Sequence, residues 1–282
     1  MPGTLFVVAT PIGNLEDITA RALRVLREVA VIAAEDTRRT AHLLARYAIT
    51  TSTTSLHEHN ETQKSASLIA RLERGDSIAL VSDAGTPTIS DPGQRLIRAA
   101  LDAGLRVESI PGPNAAIAAL AVSGVPGGTF TFLGFPPSRS KDRKWWLERA
   151  RQIGGTVVFY EAPHRIQDTL RALQVAVGDC RLVVCRELTK AHEELVIGPI
   201  SAVLERLKSP IGEFTVVAEI GHVTTKAPPR QPSDSEILAL FGHTTKENKI
   251  PRRKAVTVLA KQLQLPPNEV YEAIERAKKS IK

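Results

Sequence analysis

Along the first 110 positions, short unbroken apolar runs alternate with amphipathic stretches, the pattern expected of a wound parallel sheet. LFVVAT (Leu5 to Thr10) reads as a buried strand, Asp17 to Val29 as an amphipathic helix, and VIAAE (Val31 to Glu35) as a second strand. A helix over Thr40 to Tyr47 leads into a polar loop. There follow a helix over Glu61 to Arg74, the strand SIALVS (77–82), a helix over Pro92 to Ala103 and the strand RVESI (106–110).

Pro111-Gly112-Pro113 then breaks the pattern, and Asn114 caps a helix that runs to Ser123. Beyond it lie TFTFLGF (129–135), a basic helix around Lys141 to Arg151, TVVFYE (156–161), a helix over His164 to Val177, RLVVCRE (181–187) and EFTVVAEI (213–220). Several of these strands can pair antiparallel, so the second sheet is expected to be mixed. The chain thus reads as α/β, with an N-terminal α/β domain over 1–111 and a second over 112–222. The polar, Pro-rich stretch 223–233 (VTTKAPPRQPS) has the composition of a linker. Three short helices follow within 234–282, at Ser235 to Phe241, Arg252 to Leu263 and Asn268 to Lys278. They suit either a helix-turn-helix-like module or a helical cap.

Composition sharpens this picture. The 282 residues, 43% of them hydrophobic, can supply a core for two modest domains. No apolar run approaches the roughly 18 residues of a membrane span, and Met1-Pro2-Gly3-Thr4 lacks the basic and apolar regions of a secretory signal. The expectation is a cytoplasmic protein with no membrane partner. Cys180 and Cys185, five residues apart in one extended stretch, face opposite sides and are read as reduced core residues. The net charge of +7 is concentrated: residues 223–282 carry 12 Lys/Arg against 6 Asp/Glu. Such a patch either favours a polyanion by counterion release or only keeps the surface soluble.

Candidate chemistry sits in the loops after strands, where open α/β sheets place their ligands. In Thr10-Pro11-Ile12-Gly13-Asn14, Gly13 permits close backbone approach. In the next loop Glu35 and Asp36 precede Arg38 and Arg39, a grouping able to orient a hydroxyl or phosphate substrate; Asp36 can equally cap the following helix. His57-Glu58-His59-Asn60-Glu61, with Lys64 a turn later, offers a general base or RNA contacts, or is a plain solvated turn. No further His or Cys stands at ligand spacing, so no metal is expected. The loop SDAGTPTISDPG (82–93) is rigid, rich in small residues and carries acids, which suits a bulky organic ligand with amines and hydroxyls. Neither GxxxxGK[ST] nor GxGxxG is present, which argues against nucleoside triphosphates and a Rossmann dinucleotide. In the second half, Arg139, Lys141, Arg143 and Lys144 stand beside Trp145-Trp146, a set that either meets phosphates and bases or anchors an amphipathic helix.

Taken together, TPIGN (10–14), AAEDTRRT (33–40), HEHNE (57–61), LVSDAGTPTISDPG (80–93) and PGPNA (111–115) resemble the ribosomal RNA small-subunit methyltransferase I family, of the tetrapyrrole methylase fold class. FYEAPHR (159–165), RELTK (186–190) and GEFTVV (212–217) continue the resemblance, which covers residues 4–221 in order; the helical tail matches more loosely. The resemblance implies two α/β domains enclosing S-adenosylmethionine, a homodimer, and methylation of the ribose 2′-hydroxyl of a cytidine in the decoding centre of small-subunit rRNA. It also implies a cofactor pocket of Pro11, Asp83, Gly85, Thr86, Ile89 and Ser90 from the first domain, closed by Asn114, Ala115, Tyr160, Glu161, Leu188, Phe214 and Thr215 from the second. The catalytic base expected on this reading is Glu35 or Asp36, with Arg38 steering the RNA backbone and His57 and Lys64 in reserve. Competing readings keep the fold with a porphyrinoid acceptor, or make the chain a non-catalytic RNA-binding assembly factor.

Overall fold

Strands with consecutive rather than alternating apolar residues must be covered on both faces. The computed structural model, which describes residues 1–207, 211–221, 233–247, 250–263 and 266–279, shows how. β1 (Thr4–Val8) leads through a single 3-10 turn (Leu15–Asp17) to α1 (Ala20–Glu28), whose N-terminus is capped by Thr19 accepting from the Ala22 amide at 3.1 Å. β2 (Val31–Ala34), α2 (Thr37–Arg46), β3 (Thr53–Ser55), α3 (Glu61–Glu73), β4 (Ile78–Val81), α4 (Gln94–Asp102) and β5 (Arg106–Ile110) complete a parallel sheet in the order β3-β2-β4-β1-β5. Successive residues of β2 and β4 go to opposite sides. Ile32, Ala34, Ala79 and Val81 pack with α1 and α2, while Val31, Ala33, Ile78 and Leu80 pack with α3 and α4.

α5 (Ala115–Ser123), with Asn114 accepting from the Ile117 amide, opens the second half. Then come β6 (Phe130–Phe132), α6 (Ser140–Ile153), β7 (Gly155–Glu161), α7 (Ile166–Val177), β8 (Arg181–Arg186), β9 (Glu194–Pro199), α8 (Ile200–Arg206) and β10 (Phe214–Ile220). The sheet order is β6-β7-β10-β8-β9. β6 and β7 are parallel and the other pairs antiparallel, so the sheet is mixed. One face carries α6, α7 and α8; the other meets α5 and Ile12. Cys180 packs on the first side and Cys185 on the second, and burial pushes their thiols up to about 11 and about 12.

Residues 1–223 form one compact unit and 224–282 another. The second consists of α9 (Asp234–Glu247), α10 (Arg252–Leu263) and α11 (Pro267–Lys279), packed around Ile237, Phe241, Leu259, Val270 and Ile274, and so has a core of its own. A capping box starts it: the Ser233 amide donates to Glu236 Oε2 at 2.7 Å while Ser233 Oγ accepts from the Glu236 amide. The linker expected at 223–233 lies, apart from Ser233, outside the described residues.

Several expected boundaries move for local reasons. The helix expected at Thr40 begins at Thr37, because Asp36 caps it. The one expected from Asp17 begins at Ala20, behind its Thr19 cap. The helix expected to end at Phe241 runs to Glu247. The polar loop before α3 contains β3, whose Thr-Thr-Ser has neither apolar alternation nor length to announce an edge strand. β9 and α8 were likewise not expected; they lie where a single Gly-Pro pair ends one element and begins the next.

Candidate functional site

The loops after β1 and β4 are tied to each other. The Thr10 amide donates to Gly85 O at 2.8 Å, the Gly85 amide returns to Thr10 O at 3.0 Å, and Thr10 Oγ1 donates to Ser82 O. Gly85 holds φ +80° there, a conformation a side chain would strain. Thr86 Oγ1 donates to Pro113 O, fastening the loop to the segment that joins the halves. In the same loop Thr88 and Ser90 both sit at φ +71°, where a β-carbon costs about 1–2 kcal/mol each. Such strain is retained where the surroundings over-determine it, commonly at ligand sites.

The halves also meet at Gly13. A β-carbon there would lie 2.6 Å from Lys190 Cγ, 2.7 Å from Thr189 Oγ1 and 2.8 Å from Leu188 O, so only glycine allows the approach. The Asn14 amide donates to Thr189 Oγ1 at 2.9 Å across this seam. Lys190 is held by Glu187 and Glu213, each at 3.0 Å.

Between these contacts lies a cavity of about 370 Å³ at the carboxyl ends of β1, β2 and β4, within the usual size range of small-molecule sites. Its first wall holds Ile12, Glu35, Arg39, Asp83, Gly85, Thr86, Ile89, Ser90 and Asp91. Asn114, Ala115, Phe135, Tyr160, Glu161, Leu188, Phe214 and Thr215 form the facing wall. A smaller cavity of about 200 Å³ shares Ile12, Arg39 and Asp83 and adds Pro11, Gly13, His42 and Lys190.

Carboxylates dominate the electrostatics of the first wall. Glu35 Oε2 accepts from the Asp83 amide at 3.2 Å, Asp83 Oδ1 accepts from the Asp36 amide at 2.9 Å, and Arg39 lies 3.5 Å from Asp83. Burial raises the Glu35 carboxyl above its ordinary range. Asp91 is pushed up to about 7, mainly by burial and then by the nearby Glu35 charge. A cation placed among these groups would be attracted. Opposite them the Tyr160 ring lies 4.9 Å from Phe132 and 5.4 Å from Phe135, and its hydroxyl accepts from the Ala116 amide. Glu161 is fully occupied by its own half, by the Ala162 amide, Thr169 Oγ1 and Arg165.

Of the residues expected to hold a cofactor, all line the larger cavity except Pro11, which lines the smaller one. The expected catalytic group divides. Glu35 is at the cavity; Asp36 is not. Asp36 caps α2 by accepting from the Arg38 amide at 2.8 Å, and the exposed Arg38 guanidinium holds its carboxyl well below the usual carboxylate range. His57 and Lys64 lie outside both linings: His57 Nε2 meets Asn60 at 3.1 Å and Lys64 Nζ donates to Thr54 Oγ1. Glu61, in the same motif, is buried and accepts from the Gly93 and Arg95 amides at 3.1 and 2.8 Å, capping the start of α4. Sequence reasoning passed over Arg39, Asp91 and Phe135 as site residues. Arg39 entered only as one of the grouping with Glu35, Asp36 and Arg38, without a role of its own, and Asp91 gave no signal beyond its place in an acid-bearing loop. Among the described residues no cluster of His, Cys, Asp and Glu fits a metal ion.

Comparison with known proteins agrees with this architecture. The family described as Tetrapyrrole (Corrin/Porphyrin) Methylases matches residues 4–204. Among solved structures, the uroporphyrin-III C-methyl transferase from Thermus thermophilus complexed with S-adenyl homocysteine shares the fold at a TM-score of 0.55 and 17% identity, covering 77% of this chain and 98% of its own. Two relatives, both named ribosomal RNA small subunit methyltransferase I, are much nearer in sequence. The protein from Halalkalibacterium halodurans is 47% identical over 77% of this chain and 76% of its own length. That from Escherichia coli O157:H7 is 42% identical over 96% and 94%. The chain belongs to the tetrapyrrole methylase family and, within it, to the ribosomal RNA small subunit methyltransferase I family.

Proposed function

We propose that the chain is an S-adenosylmethionine-dependent rRNA methyltransferase that modifies the ribose 2′-hydroxyl of a cytidine in the decoding centre of 16S rRNA. The observation that carries this reading is the cavity between the two sheets, which sets raised carboxyls on one wall and an aromatic and aliphatic surface on the other. That lining fits the donor: Asp83 and Asp91 suit its ammonium and sulfonium charges, and Ile89, Tyr160, Leu188 and Phe214 suit a purine ring. Gly85, Thr86, Ser90, Asn114, Ala115, Glu161 and Thr215 complete the proposed pocket, and Pro11 bounds it on the side of the smaller cavity. Relatives named for small-subunit rRNA support the acceptor.

The donor supplies an electrophilic methyl group and departs as a neutral thioether. The protein's contribution is to align the acceptor and to remove its proton. Glu35, at the cavity edge with a raised carboxyl, takes the hydroxyl proton as the new C–O bond forms. General bases of this kind contribute about 10²- to 10⁴-fold. The smaller cavity, between Arg39, His42 and Lys190, receives the acceptor ribose. Arg38, whose side chain is 88% exposed, meets the RNA backbone outside. The protein acts in the cytoplasm as a homodimer, and the basic tail module, 234–282, adds affinity for the ribosomal subunit. The domain borders proposed for function are 1–111 and 112–222.

Purified protein given labelled S-adenosylmethionine and unmodified small ribosomal subunits should place label on one cytidine ribose, read by nuclease digestion and mass spectrometry. Label on uroporphyrinogen instead, or no binding of the donor in calorimetry, refutes the reading. Glu35→Gln should lower kcat by about 10²- to 10⁴-fold with donor affinity retained. Asp36→Asn should keep most of the turnover.

A further inference from the structure

The two adjacent tryptophans of α6 have opposite fates. Trp146 is buried, donates from Nε1 to Leu133 O at 3.2 Å and meets Phe159 edge-on at 5.2 Å, so it anchors the helix. Trp145 is 68% exposed and does no such work. Around it, Lys141 stands four residues before, Lys144 one before and Arg149 four after, on the side opposite Trp146, Leu147 and Ala150, with the Arg149 guanidinium 5.9 Å from the Trp145 ring.

Charge on this helix is lopsided. Between Arg139 and Ile153 stand six cations and two acids. Of the acids, Glu148 is already tied to Arg151 at 2.6 Å and to Gln152 at 2.8 Å. Among the described residues no carboxylate pairs with Arg139, Lys141, Arg143 or Lys144. Lys141 falls in the first turn of the helix, where its dipole disfavours positive charge, and Arg143 and Lys144 follow in the second, where the dipole no longer acts on them. Neither ion pairing nor the helix dipole gives these cations a stabilising role in α6. The patch is also joined to the cavity. Phe135, 53% exposed at its rim, is four residues before Arg139, a separation of at most about 14 Å along the chain.

We propose that this face of α6 docks single-stranded RNA flanking the modified nucleotide, Trp145 stacking on an unpaired base while Arg139, Lys141 and Lys144 meet its phosphates. The proposal rests on the rRNA reading above and adds to it the surface that holds the substrate strand. A polyanion complements the charge, and an exposed indole flanked by cations offers the stacking platform of single-strand binders.

The test uses the full chain with unmodified small ribosomal subunits and a labelled unstructured RNA oligonucleotide. Trp145→Ala should raise KM for subunits roughly 5- to 100-fold, the cost of one lost base stack, with kcat and donor affinity unchanged; Trp145→Phe should restore most of it. The double variant Lys141→Gln, Lys144→Gln should flatten the slope of log affinity against log salt by about 1.4, two single-strand phosphate contacts. RNA binding should also quench fluorescence of the wild type more than that of Trp145→Ala, which keeps only the buried indole. Wild-type KM and salt slope in these variants, from a protein that itself methylates subunits, would overturn the docking surface alone. So would a Trp145→Ala variant whose sedimentation changes while RNA affinity holds, since the face would then join two copies. A wild type that neither binds RNA nor labels subunits removes the functional reading and this proposal together.

Discussion

Replacing Asp91 by Asn should make the α/β unit more stable at pH 8 and leave it nearly unchanged at pH 3. In the folded chain the Asp91 carboxyl titrates at about 7, against 3.8 in an open chain, with burial the main cause and the Glu35 charge the next. Between those values the native state keeps a proton that the unfolded chain releases, so stability falls as pH rises from about 4 to about 7 and stays lower above it. A displacement of about three units corresponds to about 4 kcal/mol. Asp91 borders an open cavity, and solvent screening reduces this to about 2 kcal/mol. An amide of the same shape removes the titration. At pH 8 the variant should gain about 2 kcal/mol, roughly 4–8 °C in melting temperature for a unit of this size. At pH 3, where the carboxyl is protonated in the folded and the unfolded chain alike, the two proteins should differ little. Both tryptophans lie in this unit, so urea unfolding followed by their fluorescence reports it separately from the C-terminal helices. A stability difference independent of pH, or a variant weaker than wild type at pH 8, would show that Asp91 is not a desolvated carboxyl.

Other consequences are open to measurement. Affinity for S-adenosylmethionine should rise by up to tenfold per pH unit as Asp91 ionises below pH 7, and the rise should flatten in Asp91→Asn; calorimetry in buffers of different ionisation enthalpy would detect the released proton. Gly13→Ala must push its new β-carbon out of a 2.6 Å contact and weaken the Asn14–Thr189 bond, at a cost of about 2–4 kcal/mol. The loss should appear both in urea midpoint and in donor affinity. Glu61→Ala leaves the Gly93 and Arg95 amides without their acceptor, and unfolding titrations should show a loss of about 2–4 kcal/mol. Binding of S-adenosylmethionine to the protein alone should survive EDTA unchanged, since the proposed pocket uses no metal; loss of binding restored by a divalent ion would refute that.

Local pattern alone decided much of the architecture. Doubly apolar runs such as VIAA and IALV demand helices on both faces, and that requirement makes a parallel wound sheet before any contact is known. Asn114 and the Pro-Gly-Pro ahead of it mark the start of the second half in the same local way. Loop composition also singled out 82–93, much of which lines the larger cavity. The edge strand β3 and the β9–α8 corner were illegible because their residues carry no periodicity; pairing with a neighbouring strand creates them. Only tertiary structure separated Glu35 from Asp36. Neighbours in sequence, they part where β2 ends, one carboxyl reaching the Asp83 amide and the other turning back to cap α2. The same holds for Asp91, whose raised carboxyl depends on burial and on the Glu35 charge brought to it from a different strand end. Proximity across the fold sets a proton affinity, and residue order cannot encode it locally.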